Sequence, residues 1–301
     1  MNPYLLSVIL GVIEGLTEFL PVSSTAHLRI AEAFLGIDLG NGYWKMYSIV
    51  IQVGAILCLP LYFRSRISKF LSTFPHGERG DRTTCNHPLT LTTIAFVVTA
   101  IPAWLLTKII GKHLENLHIM AWALIIGGIV MWIVDAIFGI PPEANDQVSE
   151  FRRVRTEHME QMTLPQSIWI GASQILSAVF PGTSRSMSTI AAGQLVRMSR
   201  EAALEFSFFL SMPTMVAATG YDLFRTLHPK RGQPNPIGGL HIDPQGWVIL
   251  SIGFVISFFV AWAVVAWFMN WVRNRGFAPF AIYRILLGAT VLGWLLHTGL
   301  S

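Results

Sequence analysis

Long apolar runs alternate with shorter polar ones along this chain. Six of them, at 46–63, 89–110, 120–138, 203–223, 247–271 and 280–296, approach the roughly 20 residues that a helix needs to cross a bilayer. Two further apolar stretches, 4–20 and 168–180, behave differently. Each runs into a proline, Pro21 or Pro181, and then into a hydroxyl-rich segment that continues as a second short helix. Proline lacks a backbone donor and stops the helix before it. Glu14 and Glu18 also interrupt the first stretch. A charged residue at the centre of a spanning helix costs about 2.5–3.5 kcal/mol even on the gentlest insertion scale. Broken, charged backbone of this kind belongs where protein or a water-filled cavity surrounds it. Both stretches are therefore predicted to be re-entrant helical hairpins, the first with halves at 4–20 and 24–36.

The connections fit this plan. Gly36, Gly40 and Gly42 mark a loop, 64–87 and 143–162 are polar, and 228–245 is rich in Pro and Gly. The 143–162 stretch reads as a surface loop or a short amphipathic helix. Pro102 predicts a kink, Gly127-Gly128 a close helix approach, and Pro141-Pro142 a helix end. The two halves also resemble each other. At an offset of 160, Gly11 faces Gly171, Glu14 faces Gln174, Pro21 faces Pro181, Ser24 faces Ser184 and Thr25 faces Arg185. YSIVIQVG, beginning at Tyr47, resembles FSFFLSMP, beginning at Phe206. One hairpin plus three spans per half is an odd number of crossings, so the second half sits upside down. The expected fold is all-α: a single polytopic membrane domain over 1–301, with about six transmembrane helices and two re-entrant hairpins. The inverted repeats cover approximately 1–140 and 160–301.

Composition supports the class. Hydrophobic residues make up 52% of the 301 and charged residues 13%, against about 25% charged in soluble domains. The net charge of +4 comes mostly from loops and reports topology, not nucleic-acid binding. The loops at 64–87, 140–164, 197–202 and 272–278 carry about twice the Arg and Lys of the other side. That other side holds Lys45, Lys108, Lys112, Arg225, Lys230 and Arg231. The richer side is expected to be cytoplasmic, with both termini outside. Cys58 and Cys85 form neither a disulfide framework nor a C-x-x-C metal pair. No basic region and cleavage site mark a signal peptide, so the first segment is expected to stay.

The chemistry concentrates at the two breaks. Glu14 and Glu18 share a helix face, and carboxylates that close need a proton or a cation between them. Hard oxygen ligands suit Mg²⁺ or Ca²⁺. A pairing with Arg or Lys from a neighbouring helix would serve them structurally. Ser23, Ser24 and Thr25 open the next helix, where a hydroxyl can cap free N–H groups or help to bind an anion. Ser24 and His27 are spaced for a nucleophile and base. The second break, Pro181-Gly182-Thr183-Ser184-Arg185-Ser186, offers hydroxyls, joined by that of Thr189, and one Arg. A guanidinium in an apolar region needs an anion and matches phosphate in bidentate fashion. A pair with Glu14 or Glu18 is the structural reading of the same residue.

GVIEGLTEFLPVSSTAHL, from Gly11, and PGTSRSMST, from Pro181, together resemble the bacterial undecaprenyl-pyrophosphate phosphatases, the bacitracin-resistance protein family. YSIVIQVG and FAPFAIYR, ending at Arg284, extend the likeness over essentially the whole chain. Met187 stands where the family usually has Gly. The resemblance implies hydrolysis of the terminal phosphate of undecaprenyl pyrophosphate, releasing undecaprenyl phosphate, the carrier used in cell-wall synthesis. It further implies a divalent cation, a plasma-membrane location and a site reached from the outer face. Its functional positions fall on Glu14, Glu18, Ser24, His27 and Arg185. On this reading Glu14 and Glu18 hold the metal, Ser24 attacks the phosphate with His27 as proton acceptor, and Arg185 steadies the developing charge. Direct attack by water activated by His27 or Glu18 remains open. Ser23, Thr25, Thr183, Ser184, Ser186 and Thr189 are expected to contribute to substrate binding, and membrane lipids to surround the prenyl tail. A lipid flippase is the competing class, because inverted repeats with broken helices also build transporters. A small-anion channel fits less well, since the two carboxylates would repel its ion. The sequence leaves the oligomeric state open, a homodimer included.

Overall fold

The computed structural model describes residues 2–37, 42–78, 80–106, 116–227 and 243–298. Gly40, Arg79, Lys108, Lys112, Lys230, Arg231, the end of the 89–110 stretch and most of the 228–245 loop lie outside them, as does the side chain of Arg225. Among the described residues are eleven α-helices and no strand. We number them α1 (Pro3–Thr17), α2 (Ser24–Phe34), α3 (Gly42–Tyr62), α4 (Arg64–Ser72), α5 (Pro88–Leu105), α6 (Leu117–Phe138), α7 (Leu164–Val179), α8 (Arg185–Leu195), α9 (Arg200–Leu227), α10 (Pro244–Asn274) and α11 (Ala278–Thr298). Six, α3, α5, α6, α9, α10 and α11, are long and apolar enough to cross a membrane. They are the six stretches read from the sequence. Helix starts follow local chemistry. Asn2, Asn116 and Asp243 accept backbone N–H groups as N-caps, with Pro3 and Pro244 in the first turn, where a missing donor costs nothing. The 143–162 stretch holds only two short 3-10 turns.

The two short pairs, α1–α2 and α7–α8, each double back. Leu28 and Ile37 join Leu6 and Leu10 in one apolar cluster, so α2 returns toward the end where α1 begins. Likewise Gln166 at the start of α7 donates to the Val196 carbonyl beyond α8, at 2.9 Å. The hairpins enter from opposite ends. The first opens beside the starts of α3 and α10, where Ser7 donates to Ile249 O at 2.6 Å. The second opens among the basic connections. Arg66 of α4 pairs there with Glu160 and with Glu205 of α9, and Arg273 of α10 pairs with Glu201.

Packing repeats with the same exchange. α1 lies on α10, and α7 lies on α5. A Cβ on Gly11 would stand 2.8 Å from the Gly253 carbonyl oxygen, and one on Gly171 2.5 Å from that of Ala95. Ser167 donates to Leu91 O at 2.6 Å, as Ser7 does to Ile249. One detail of the aligned halves changes. The N-caps of α2 and α8 are Ser23 and Ser184, so beyond the prolines the offset is 161. Ser24 therefore corresponds to Arg185, and not to Ser184, because Gly182 adds a residue to the second turn.

Candidate active site

The two hairpin tips meet in the interior. α1 ends at Thr17, and Glu18 caps it before the turn through Pro21. Ser23 then takes φ 74° and Ser184 φ 73°, a left-handed conformation uncommon outside glycine. Each turns the chain sharply into a helix, and each hydroxyl accepts from the N–H three residues on, that of Ala26 or Met187. The Ser23 and Ser184 hydroxyls, expected to touch substrate, thus accept as helix caps and keep their own protons to donate.

Glu18 is the centre of the arrangement. Its Oε2 accepts from the Ser24 hydroxyl at 2.5 Å, and its Oε1 from Arg185 Nη2 at 3.1 Å. Ser186 of the second tip donates to the Glu18 carbonyl at 3.3 Å. Arg185 Nη1 lies 3.4 Å from Ser207 O. The ion pair of Arg185 with Glu18, the structural reading of that arginine, is thus present. Thr189 is spent on Ser207 and on the carbonyls of Arg185 and Ser186. Among the described residues, no hydrogen bond to protein holds the half-buried hydroxyls of Thr25 and Thr183.

His27 is not the partner of Ser24. Its Nδ1 lies 2.7 Å from the Ser23 carbonyl and its Nε2 2.7 Å from the Tyr283 hydroxyl. A carbonyl only accepts, so Nδ1 carries the proton, and Nε2 of the neutral ring accepts from Tyr283. The Tyr283 ring stacks on the imidazole at 5.6 Å between centroids. The i, i+3 spacing placed the two side chains on neighbouring helix positions, but the turn at Ser23 draws the imidazole back to the tip backbone.

Glu14 is fully buried, and neither carboxylate oxygen has a hydrogen-bond partner. Only a proton shared with Glu18 or a cation can serve them. Among the described residues no three His, Cys, Asp or Glu converge as a metal cage. Glu14 fits a ligand's part; both Glu18 oxygens are already engaged.

Arg284 of α11, absent from the sequence expectations for the site, is fully buried and reaches both tips. It donates to Pro21 O at 3.0 Å, Gly182 O at 3.1 Å and Thr183 O at 3.0 Å. A lone cation in the apolar 280–296 run was the signal that pointed to it.

Comparisons with known proteins cover most of the chain. The sequence model of the family described as "Bacitracin resistance protein BacA" matches residues 7–290. This chain belongs to the BacA family. A relative from Koribacter versatilis, named undecaprenyl-diphosphatase, is 64% identical over 98% of this chain and 99% of its own length. Relatives with that name from Caldanaerobacter subterraneus and Xylella fastidiosa are each 38% identical, over 94% and 96% of this chain and 93% and 97% of theirs. The BacA match runs from within α1 to within α11, so all the side chains gathered at the tips lie inside it.

Proposed function

We propose that this membrane protein works as its BacA relatives are named: it hydrolyses undecaprenyl diphosphate to undecaprenyl phosphate and inorganic phosphate. The observation that carries the reading is the Ser24–Glu18–Arg185 chain joining the two tips. A hydroxyl, a carboxylate that can take its proton, and a guanidinium that can face a phosphate occur in one buried place. Ser24 is the nucleophile. Its Oγ attacks the terminal phosphorus, the bond to the bridging oxygen breaks, and its proton passes to Glu18 Oε2. Glu18 hands that proton to the departing lipid phosphate. Water then attacks the phosphoserine with Glu18 again accepting a proton. Glu18 returns it to Ser24 Oγ as inorganic phosphate leaves. Such general-base assistance contributes about 10²–10⁴-fold. Arg185 and the start of α8 stabilise charge on the phosphoryl oxygens, and Thr25 and Thr183 offer the free hydroxyls. His27 shapes the first tip and does not take the Ser24 proton.

Glu14, with Glu18 beside it, would hold a divalent cation, Mg²⁺ or Ca²⁺. Such an ion, when bound, neutralises a diphosphate that two carboxylates would otherwise repel. In the bilayer both hairpins are re-entrant, the halves form an inverted repeat, and the protein lies in the bacterial plasma membrane. Tyr283 is 45% exposed beside His27, which opens the site sideways toward lipid, where the prenyl tail lies. The test is phosphate release from undecaprenyl diphosphate by purified, detergent-solubilised protein, with and without a chelator. Release that stops on chelation and returns with Mg²⁺ or Ca²⁺ is expected. No release would favour lipid transport, and chelator-resistant release would remove the cation.

A further inference from the structure

Arg284 makes an unusual set of contacts for a buried charge. Besides the carbonyls of Pro21, Gly182 and Thr183, it donates to Ala123 O at 3.0 Å and Leu124 O at 3.4 Å on α6. No carboxylate lies within ion-pair distance of it among the described residues. A buried cation without a counter-ion is expensive, yet here five carbonyls from three segments satisfy it. Two of those segments are the hairpin tips, which are distant in sequence. The surrounding helices make room for the group. A Cβ on Gly127 would collide with the Arg284 guanidinium and with the Met187 methyl. Neighbouring Gly128 lets α6 approach α11 beside the Arg284 stem.

We propose that Arg284 is a positioning residue of the phosphatase site, a clasp that sets the separation of the two tips and thereby the alignment of Ser24 and Glu18 with Arg185. The proposal rests on the phosphatase reading for its kinetic consequence only. The Glu18–Arg185 contact by itself is a single hydrogen bond across the tips, and substrate phosphate competes for it. Arg284 faces the backbone on both sides and stays engaged when Arg185 turns to phosphate. Its planar, five-donor head reaches several carbonyls at once, which a lysine ammonium at the end of a flexible stem does not reproduce. Loss of tip alignment by about 1 Å is enough to cost about 10²-fold in rate.

The experiment compares wild type with Arg284→Lys and Gly127→Ala in detergent. The second variant keeps the charge and displaces the head. Spin labels at Thr25→Cys and Thr183→Cys, with Cys58 and Cys85 replaced by Ala, report the tip separation. Phosphate release reports kcat and KM without labels, and melting reports folding. The expected result is a narrow distance distribution in wild type and a broadened or shifted one in both variants. The kcat should fall about tenfold to a hundredfold, with KM within about threefold and folding retained. An unchanged distribution and kcat in a folded variant would overturn the clasp, and if Arg284→Lys fails to fold, Gly127→Ala alone decides. If wild type releases no phosphate, the phosphatase reading fails while the distance measurement still judges the clasp.

Discussion

At the residue scale, the hydrogen bonds of Ser24 and His27 assign different work to the two. The Ser24 hydroxyl is 2.5 Å from Glu18, whereas both imidazole nitrogens are spent on Ser23 and Tyr283. Glu18→Gln should lower kcat by about 10²–10⁴-fold, the usual worth of a general base, and Ser24→Ala should lose at least as much, because it removes the attacking oxygen. His27→Gln should cost distinctly less. Its amide can still donate to Ser23 O, and the attacking hydroxyl keeps its partner. Phosphate-release rates at saturating substrate provide the measurement. Equal losses in His27→Gln and Glu18→Gln would return the base role to His27. That Glu14, Glu18 and Arg185 would gather in the interior was legible in the sequence, because an apolar run rarely tolerates charge facing lipid. The partner of Ser24 was not. Helical spacing places Ser24 and His27 side by side, but it contains nothing of the positive φ at Ser23 that turns one toward Glu18 and the other toward the tip carbonyl. Arg284 was legible by the same rule applied to α11, where a span otherwise apolar carries one guanidinium.

At the element scale, buried charges tie the helix ends on the basic side. Asp135 at the end of α6 accepts from Arg200 Nε at 2.7 Å, from Gln194 at 2.9 Å and from the Phe277 N–H at 2.9 Å. It thus joins α6, α8, α9 and the α10–α11 turn. Asp135→Asn leaves Arg200 without its counter-ion, which should cost about 3–5 kcal/mol and lower the detergent melting temperature. A second tie is acid-sensitive. Burial raises the Glu160 pKa, but the hydrogen bond and charge of Arg66 outweigh it and hold the group below its ordinary 4.5. A depressed carboxylate stabilises the fold above its unfolded pKa and loses that contribution as pH falls through the folded value. The melting difference between wild type and Glu160→Gln should therefore be full near neutrality and shrink below about pH 4.5. A difference that is constant with pH would mean that Glu160 contributes nothing. The polar 143–162 stretch did not reveal this tie, because Arg66 and Glu160 are far apart in sequence and meet only when the hairpins are in place. The alignment of the halves rests on paired glycines and prolines, and it shifts by one residue in the turn beyond Pro181, where Gly182 takes φ 94°.

At the scale of the whole molecule, four buried charges meet at the tips. Glu18 and Arg185 cancel, Glu14 has no hydrogen-bond partner and Arg284 has carbonyls in place of a counter-ion. The formal charges of the four side chains sum to zero. Which face of the membrane delivers the substrate depends on orientation, which the basic connections predict. Arg64, Arg66, Arg82, Arg152, Arg155 and Arg273 all lie on the end where the second hairpin opens, so that end is assigned to the cytoplasm. The chain carries its own probe. Cys85 is exposed in the connection between α4 and α5 on that end, and Cys58 is buried in α3. A thiol reagent that cannot cross membranes should leave right-side-out vesicles unlabelled and modify Cys85 in inverted ones. Cys85→Ser should abolish that labelling. Modification of Cys85 in right-side-out vesicles would turn the molecule over and place the mouth of the first hairpin, with both termini, on the inside.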